Sequence, residues 1–346
     1  MQRLLYIVPL LTVFWLTDQW LTDDRTIGWE RNSVRNSLDR WENENRAQVA
    51  ILGSSTSKDW LPGRVVERLL GAGRGQVVDA HINGCHQGCT WSSVRKMLQR
   101  HRQKRCRWRG KDRCLPPTKK RFKAVLFGTN LFQMCEDGHS KRVLQHQALL
   151  PSEDIPALFS IYREAKQPLE YIGRFAGMKL SGAYGDTRAV QGYWGARLLG
   201  GSNPRHAHRW YRRQPKRSSK ELLSCDYVPD NVALKLKFTE ALMDDLHDLT
   251  DRVYVMLLPD RSRASKDPEQ QRRWQSHIAK HREIARTRPW VRILDLTDPE
   301  AIRPNHFRDG FHLKPEQFKA QQKRLERALK SIGEIGVLKQ PKKGER

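Results

Sequence analysis

An α/β architecture with a five-stranded parallel sheet is the fold class this sequence predicts, and three observations predict it. Five short apolar runs, at 47–53, 76–82, 121–127, 252–258 and 290–296, alternate with longer stretches of helical period. Their centres, such as Val49-Ala50-Ile51-Leu52 and Val255-Met256-Leu257-Leu258, are apolar without interruption, as strands buried on both faces must be. Turn residues and polar clusters come after the runs, so they fall at C-terminal strand ends, where open α/β sheets collect their functional groups. Strands alternating with helices give three layers, with helices on both faces of the sheet.

After Arg3 come thirteen uncharged residues, 4–16, with Trp20 and Leu21 beyond them. A spanning helix wants about 20 residues, so this stretch suits a signal h-region, or a signal-anchor drawn out to residue 21. No small-x-small cleavage site comes after it. Residues 1–21 are therefore expected to be an uncleaved transmembrane anchor. Arg3 would lie in the cytoplasm, Asp18, Asp23 and Asp24 beyond the membrane, and the body of the chain outside. A buried N-terminal core helix is the other reading. Residues 22–46 read as a polar tether with one amphipathic helix over 31–45.

The first strand, 47–53, ends at Gly53-Ser54-Ser55-Thr56-Ser57, and Trp60, Leu61, Val65, Val66, Leu69 and Leu70 then predict a helix to residue 70. The second strand, 76–82, leads into Asn83-Gly84-Cys85-His86-Gln87-Gly88-Cys89-Thr90 and a helix over 91–102. Residues 95–123 hold fourteen Lys or Arg and one acid, Asp112, and with Pro116-Pro117 they predict a solvated basic loop at 103–121. The third strand ends at Gly128-Thr129-Asn130. Residues 131–230 lose the periodic pattern and read as one long insertion, helical in part over 153–178, of the kind that forms lids and binding elements. A helix at 231–249, the fourth strand, a helix at 267–287 and the fifth strand restore the alternation. The loop 297–313 carries Asp309-Gly310-Phe311-His312. A last helix opens at Pro315 and runs to about residue 332, before a polar tail at 333–346. The domain proper is 47–332.

The net charge is +26, from 64 basic and 38 acidic residues. Such charge speaks of partners rather than fold: an anionic polysaccharide or glycolipid, an anionic membrane surface, or nucleic acid. The basic runs sit in loops and no nucleic-acid reading motif is present, so nucleic acid is not the expected partner. The sequence has no P-loop, no dinucleotide fingerprint and no internal repeat. Its six cysteines fit an exported protein with disulfides. Cys106 and Cys114, which close the short basic loop, are the expected pair, leaving Cys85, Cys89, Cys135 and Cys225. Cys85-His86-x-x-Cys89 has the spacing of half a metal site but lacks a second half. Neither a metal nor a cofactor is expected.

Four polar clusters thus fall on one edge of one sheet. A nucleophilic hydroxyl needs a base in hydrogen-bond reach, and the base needs an orienting group. Ser55 can be the nucleophile, His312 the base and Asp309 the orienter. An acyl-transfer oxyanion needs donors already in place, which the backbone N–H groups of Ser55 and Gly88 and the Asn130 amide can supply. Each cluster also has a plainer reading. A Ser-rich turn caps a helix, Asn130 and Gly88 serve turns, and Asp309-Gly310-Phe311-His312 is a surface turn.

The order and spacing of these blocks resemble the SGNH (GDSL-like) hydrolase superfamily. Leu52-Gly53-Ser54-Ser55-Thr56-Ser57 is similar to its Gly-Asp-Ser block, and residues 83–90 to its Asn-to-Gly block. Gly128-Thr129-Asn130 is similar to its Gly-x-Asn block, and residues 309–312 to its Asp-x-x-His block. The resemblance covers the sheet core, 47–130 and 231–332, and not the insertion. It implies a three-layer flavodoxin-like fold, a catalytic set of Ser55, Asp309 and His312, and an oxyanion hole from Ser55, Gly88 and Asn130. Ser54 stands where the family has Asp, Thr56 where it has Leu, and Leu131 where many members have Asp. The Gly-Ser-Ser form with an N-terminal anchor looks like the envelope branch, the alginate-type O-acetyltransferases and the D-alanine transfer proteins of teichoic acid. This likeness implies an extracytoplasmic serine esterase or O-acyltransferase acting on acyl esters of an envelope glycan, with an envelope protein as a partner. A non-catalytic envelope scaffold on the same fold, and a basic nucleic-acid binder, are the other readings.

Overall fold

The computed structural model describes residues 13, 40–41, 46–82, 85–109, 120–135, 150, 152–167 and 228–338. The apolar runs become five strands: β1 (Val49–Gly53), β2 (Val77–Asp79), β3 (Ala124–Thr129), β4 (Val253–Leu257) and β5 (Val291–Asp295). All pairs are parallel, in the order β2-β1-β3-β4-β5, which is compatible with a flavodoxin-like sheet. Side chains alternate between two buried faces, as period two demands. Val49, Ile51 and Met256 enter one core, and Ala50, Leu52 and Val255 the other.

Eight helices cover the two faces among the described residues: α1 (Ser55–Trp60), α2 (Gly63–Leu70), α3 (Gln87–Arg109), α4 (Leu131–Cys135), α5 (Ile155–Glu164), α6 (Pro229–His247), α7 (Pro268–Arg286) and α8 (Phe318–Ser331). α1, α2 and α8 bury Trp60, Val66 and Leu325 against one face; α3, α6 and α7 bury Trp91, Phe238 and Ile278 against the other. α5 packs outside α6, with Tyr162 edge-on to Phe238 at 6.1 Å between ring centroids.

Several expected boundaries change for identifiable reasons. The single helix predicted to residue 70 is two, because Pro62 cannot donate to an α1 carbonyl and instead begins the next turn as the N-cap of α2. α3 runs on to Arg109, so the basic loop begins later than residue 103; the added residues 103–109 are rich in Gln, Lys and Arg, which are good helix formers, and include no Gly or Pro. In the insertion, where helix was expected in part over 153–178, α5 ends at Glu164, with Lys166 just beyond at φ 54. The rest of the insertion, 168–227, lies outside the described residues. Trp41 is fully buried and meets Phe122 edge-on at 5.1 Å, so the end of the expected tether belongs to the core. The start of the expected tail is likewise pinned: the Gly336 and Leu338 N–H groups donate to the Leu69 and Leu70 carbonyls at 2.7 and 2.8 Å.

The expectation of a transmembrane signal-anchor is corrected. Among the described residues, no helix is long and apolar enough to cross a membrane. The thirteen-residue apolar stretch falls short of the about 20 residues that a span needs, and residues 1–21, apart from Val13, lie outside the described residues.

Gly53 and Gly128 are register partners at the ends of β1 and β3. A Cβ on either would land on the Ser57 hydroxyl, and Gly53 has φ +125, so both must be glycine for the chain to turn here. This close approach sets α1 directly over the strand ends.

Candidate active site

Ser55 opens α1 immediately beyond β1. Ser54 caps that helix, its Oγ accepting the Thr56 N–H at 3.3 Å. As the first helical residue, Ser55 has an N–H with no carbonyl four residues earlier in the helix to receive it. From the far end of the chain, residues 307–313 form a narrow hairpin closed by an antiparallel bridge between Phe307 and Leu313, both buried. The Asp309-Gly310-Phe311-His312 turn is its tip. Arg261, just after β4, donates its N–H to the Gly310 carbonyl at 2.9 Å and holds the tip against the sheet edge.

The tip brings the predicted acid and base to the predicted nucleophile. His312 Nε2 lies 2.9 Å from Ser55 Oγ, and His312 Nδ1 lies 2.8 Å from Asp309 Oδ2. Asp309 Oδ1 accepts the Phe311 and His312 N–H groups at 2.9 and 2.7 Å. Burial pushes the Asp309 carboxyl up, but the bonds from the His312 ring and from the two backbone N–H groups outweigh it and hold the group at about 2. A carboxylate cannot donate, so Nδ1 carries the imidazole proton, Nε2 accepts, and the Ser55 hydroxyl donates. An imidazole so placed can take a hydroxyl proton while its own charge is met by the carboxylate.

Asn130 sits directly after β3 and is fully buried. Its Oδ1 accepts the Gln133 N–H at 2.9 Å, while its Nδ2 has no hydrogen-bond partner among the described residues. A buried amide nitrogen without a partner is a donor in waiting. Gly88 is placed differently from the expectation of a free donor. It lies in the first turn of α3, and its N–H donates to His86 Nδ1 at 3.1 Å. Gln87 beside it donates from Nε2 to Thr129 Oγ1 at 2.8 Å, which ties this turn to the residue before Asn130. Asn83 and Gly84 lie outside the described residues.

A buried disulfide joins Cys85 to Cys89 across the start of α3. The sequence left these two unpaired or as half a metal site. Bonded to each other, they are not thiolate ligands, and among the described residues no group of three or more His, Cys, Asp or Glu could hold a metal ion. The expected Cys106–Cys114 pair lies outside the described side chains.

Three residues around the site escaped the sequence reading. Asp260 comes just after β4 and is fully buried. Its carboxylate accepts the Phe132 N–H at 3.0 Å and the Ser262 N–H at 2.9 Å, and burial raises its pKa to about 6 against those bonds. Asp59, one turn after Ser55, is also raised, by burial first, with Arg308 and His312 opposing. Gln133 pairs with Asn130. A polar residue directly after a strand was the available signal for Asp260, and Asn-x-x-Gln, a capping-box pattern, was the signal for Gln133. Beside these groups, the Phe132 and Phe311 rings stack at 4.7 Å, and Phe311 lies 4.4 Å from the His312 ring.

No family model matches the chain, nor does any curated protein or solved structure.

Proposed function

We propose that the chain is a serine esterase or O-acyltransferase of SGNH (GDSL-like) type, acting outside the cytoplasm on acyl esters, acetyl esters first, of an envelope glycan. The observation that carries this reading is the hydrogen-bonded line Ser55–His312–Asp309, with His312 Nε2 2.9 Å from Ser55 Oγ and Nδ1 2.8 Å from Asp309 Oδ2. The four sequence blocks and the compatible strand order support the superfamily. The Cys85–Cys89 disulfide supports an oxidising compartment. The charge of +26 supports an anionic glycan as partner.

In this mechanism His312 takes the Ser55 proton as Oγ bonds to the ester carbonyl carbon. The carbonyl electron pair moves onto oxygen, where the Asn130 Nδ2 and Ser55 N–H groups receive it. Collapse breaks the ester C–O bond, and the leaving alkoxide takes the proton from His312. Water or a sugar hydroxyl then attacks the acyl-serine, again through His312, and releases an acid or a new ester. Asp309 keeps Nδ1–H in place throughout. No cofactor is required.

One observation favours a second reading, a non-catalytic protein on the same fold: the Gly88 N–H already donates to His86. A fluorophosphonate probe decides between them. The full chain is expected to label at Ser55, and Ser55→Ala is expected not to label. A folded wild type that stays unlabelled would overturn the enzyme reading. Retention on an immobilised polyuronate should weaken steeply as salt rises, and salt-independent retention would remove the anionic-glycan partner.

A further inference from the structure

The groups that would form the nucleophile turn and the oxyanion donor come from different strands, β1 and β3, yet one side chain joins them. Asn130 and Gln133 form a reciprocal capping box at the start of α4. Asn130 Oδ1 accepts the Gln133 N–H at 2.9 Å, and Gln133 Oε1 accepts the Asn130 N–H at 3.3 Å. The box uses the oxygen of each amide and leaves both amide nitrogens over. Asn130 Nδ2 stays without a partner among the described residues, and Gln133 Nε2 reaches across to donate to Ser54 Oγ, the residue before Ser55. Ser54 Oγ also lies 2.8 Å from Thr56 Oγ1. The fully buried Lys235 of α6 also donates to the Gln133 carbonyl. Gln133 is itself only 5 % exposed, so water does not compete for these bonds.

We propose that Gln133 is a positioning residue: through its bond to Ser54 it sets the distance between the Ser55 hydroxyl and the Asn130 amide. The role rests on the esterase reading. A capping box alone needs only the two bonds within residues 130–133. The third bond, to another strand's turn, does nothing for the cap, and it stands where the superfamily's Asp is replaced by Ser54. A neutral hydroxyl can accept from Gln133 without bringing a second negative charge beside the forming oxyanion.

The test is steady-state hydrolysis of p-nitrophenyl acetate by the full chain, with fluorophosphonate labelling rates alongside. Ser54→Ala removes the acceptor, and with it the α1 cap on the Thr56 N–H, and leaves the Asn130–Gln133 box whole; Gln133→Glu keeps that cap and so separates the two losses. The kcat of Ser54→Ala is expected to fall about 10- to 100-fold with KM nearly unchanged, because the loss falls on the reacting geometry. Ser54→Thr keeps a hydroxyl and should restore kcat. Gln133→Glu keeps both box bonds but cannot donate to Ser54, so it gives a second reading should Ser54→Ala not fold. Ser54→Ala and Gln133→Glu together should cost little more than the worse single change, as expected for two ends of one bond. Wild-type kcat in both single variants, or losses that simply multiply in the double variant, would overturn the positioning role. A folded wild type that neither labels nor hydrolyses would instead overturn the esterase reading beneath it.

Discussion

Asn130 does two things with one amide: its oxygen holds the start of α4 while its nitrogen has no partner among the described residues. The two can be separated. Asn130→Asp keeps the capping oxygen and loses the donor, so ester hydrolysis should fall by about 100- to 1000-fold, while the carboxyl it brings into a fully buried position should lower the thermal midpoint at neutral pH more than at about pH 5. Asn130→Ala loses both and should in addition cost about 1 kcal/mol of stability, read from urea unfolding. If Asn130→Asp hydrolyses esters at the wild-type rate, the amide is not an oxyanion donor. The residues of this site were unevenly legible. Ser55, Asn130, Asp309 and His312 could be named because polar residues at strand ends stand out against apolar runs. The Gln133–Ser54 bond spans 79 positions, and no local pattern marks such a contact. The bond from the Gly88 N–H to His86 was not legible, because it is set by the first turn of α3, which begins four residues earlier than expected.

At the scale of elements, the turn from β1 into α1 depends on two glycines and one serine packed without spare room. Gly128→Ala would place its Cβ on the Ser57 side chain, with Leu258 Cδ1 also at 3.0 Å. It should destabilise the protein by about 1–3 kcal/mol. Ser57→Gly in the same chain should recover part of that loss, since the obstructing group is a side chain. Gly53→Ala should not be recovered this way, because its φ of +125 is strained for any L side chain and the Gly128 carbonyl is also in the way. Denaturant midpoints of the four variants check this; equal rescue of both glycines would contradict it. β1, β3 and β4 were readable from sequence because a strand buried on both faces reads as an unbroken apolar run that stops at a turn, while the edge strands β2 and β5 admit Asp79 and Arg292. The break between α1 and α2 is signalled by Pro62, but the helical spacing of the apolar residues on either side of it conceals the interruption. The length of α3 was hidden because its basic residues are equally at home in a loop and in a solvated helix.

At the scale of the molecule, buried ionisable groups set the response to pH. His277 and His281 are buried on α7, with rings 4.4 Å apart. Burial lowers the pKa of both: His281 to about 4, His277 well below its ordinary value. The folded protein therefore binds fewer protons than the unfolded chain between about pH 4 and 6.5, so their contribution to stability is lost as pH falls through that window. Asp245 and Asp260, raised to about 6 chiefly by burial, act in the opposite sense over roughly pH 4 to 6, their folded states binding the extra protons. A comparison isolates the histidine. Between pH 6.5 and 5, His281→Phe should lose about 2 kcal/mol less stability than wild type in urea titrations. Identical pH slopes would show that His281 can charge in the folded state. None of this was legible in the sequence, where a histidine four residues after another on a charged helix reads as surface. The net charge was legible, but a sum over the chain says nothing of these interior groups.

The candidate nucleophile and base meet across 257 positions of sequence. A growing chain therefore carries Ser55 from early in its synthesis but lacks His312 until almost every strand and helix described here has been made. On the esterase proposal, order of manufacture would act as a safety catch: a nascent or prematurely terminated polypeptide would have an ordinary, unreactive serine until the last hairpin had docked on the sheet edge.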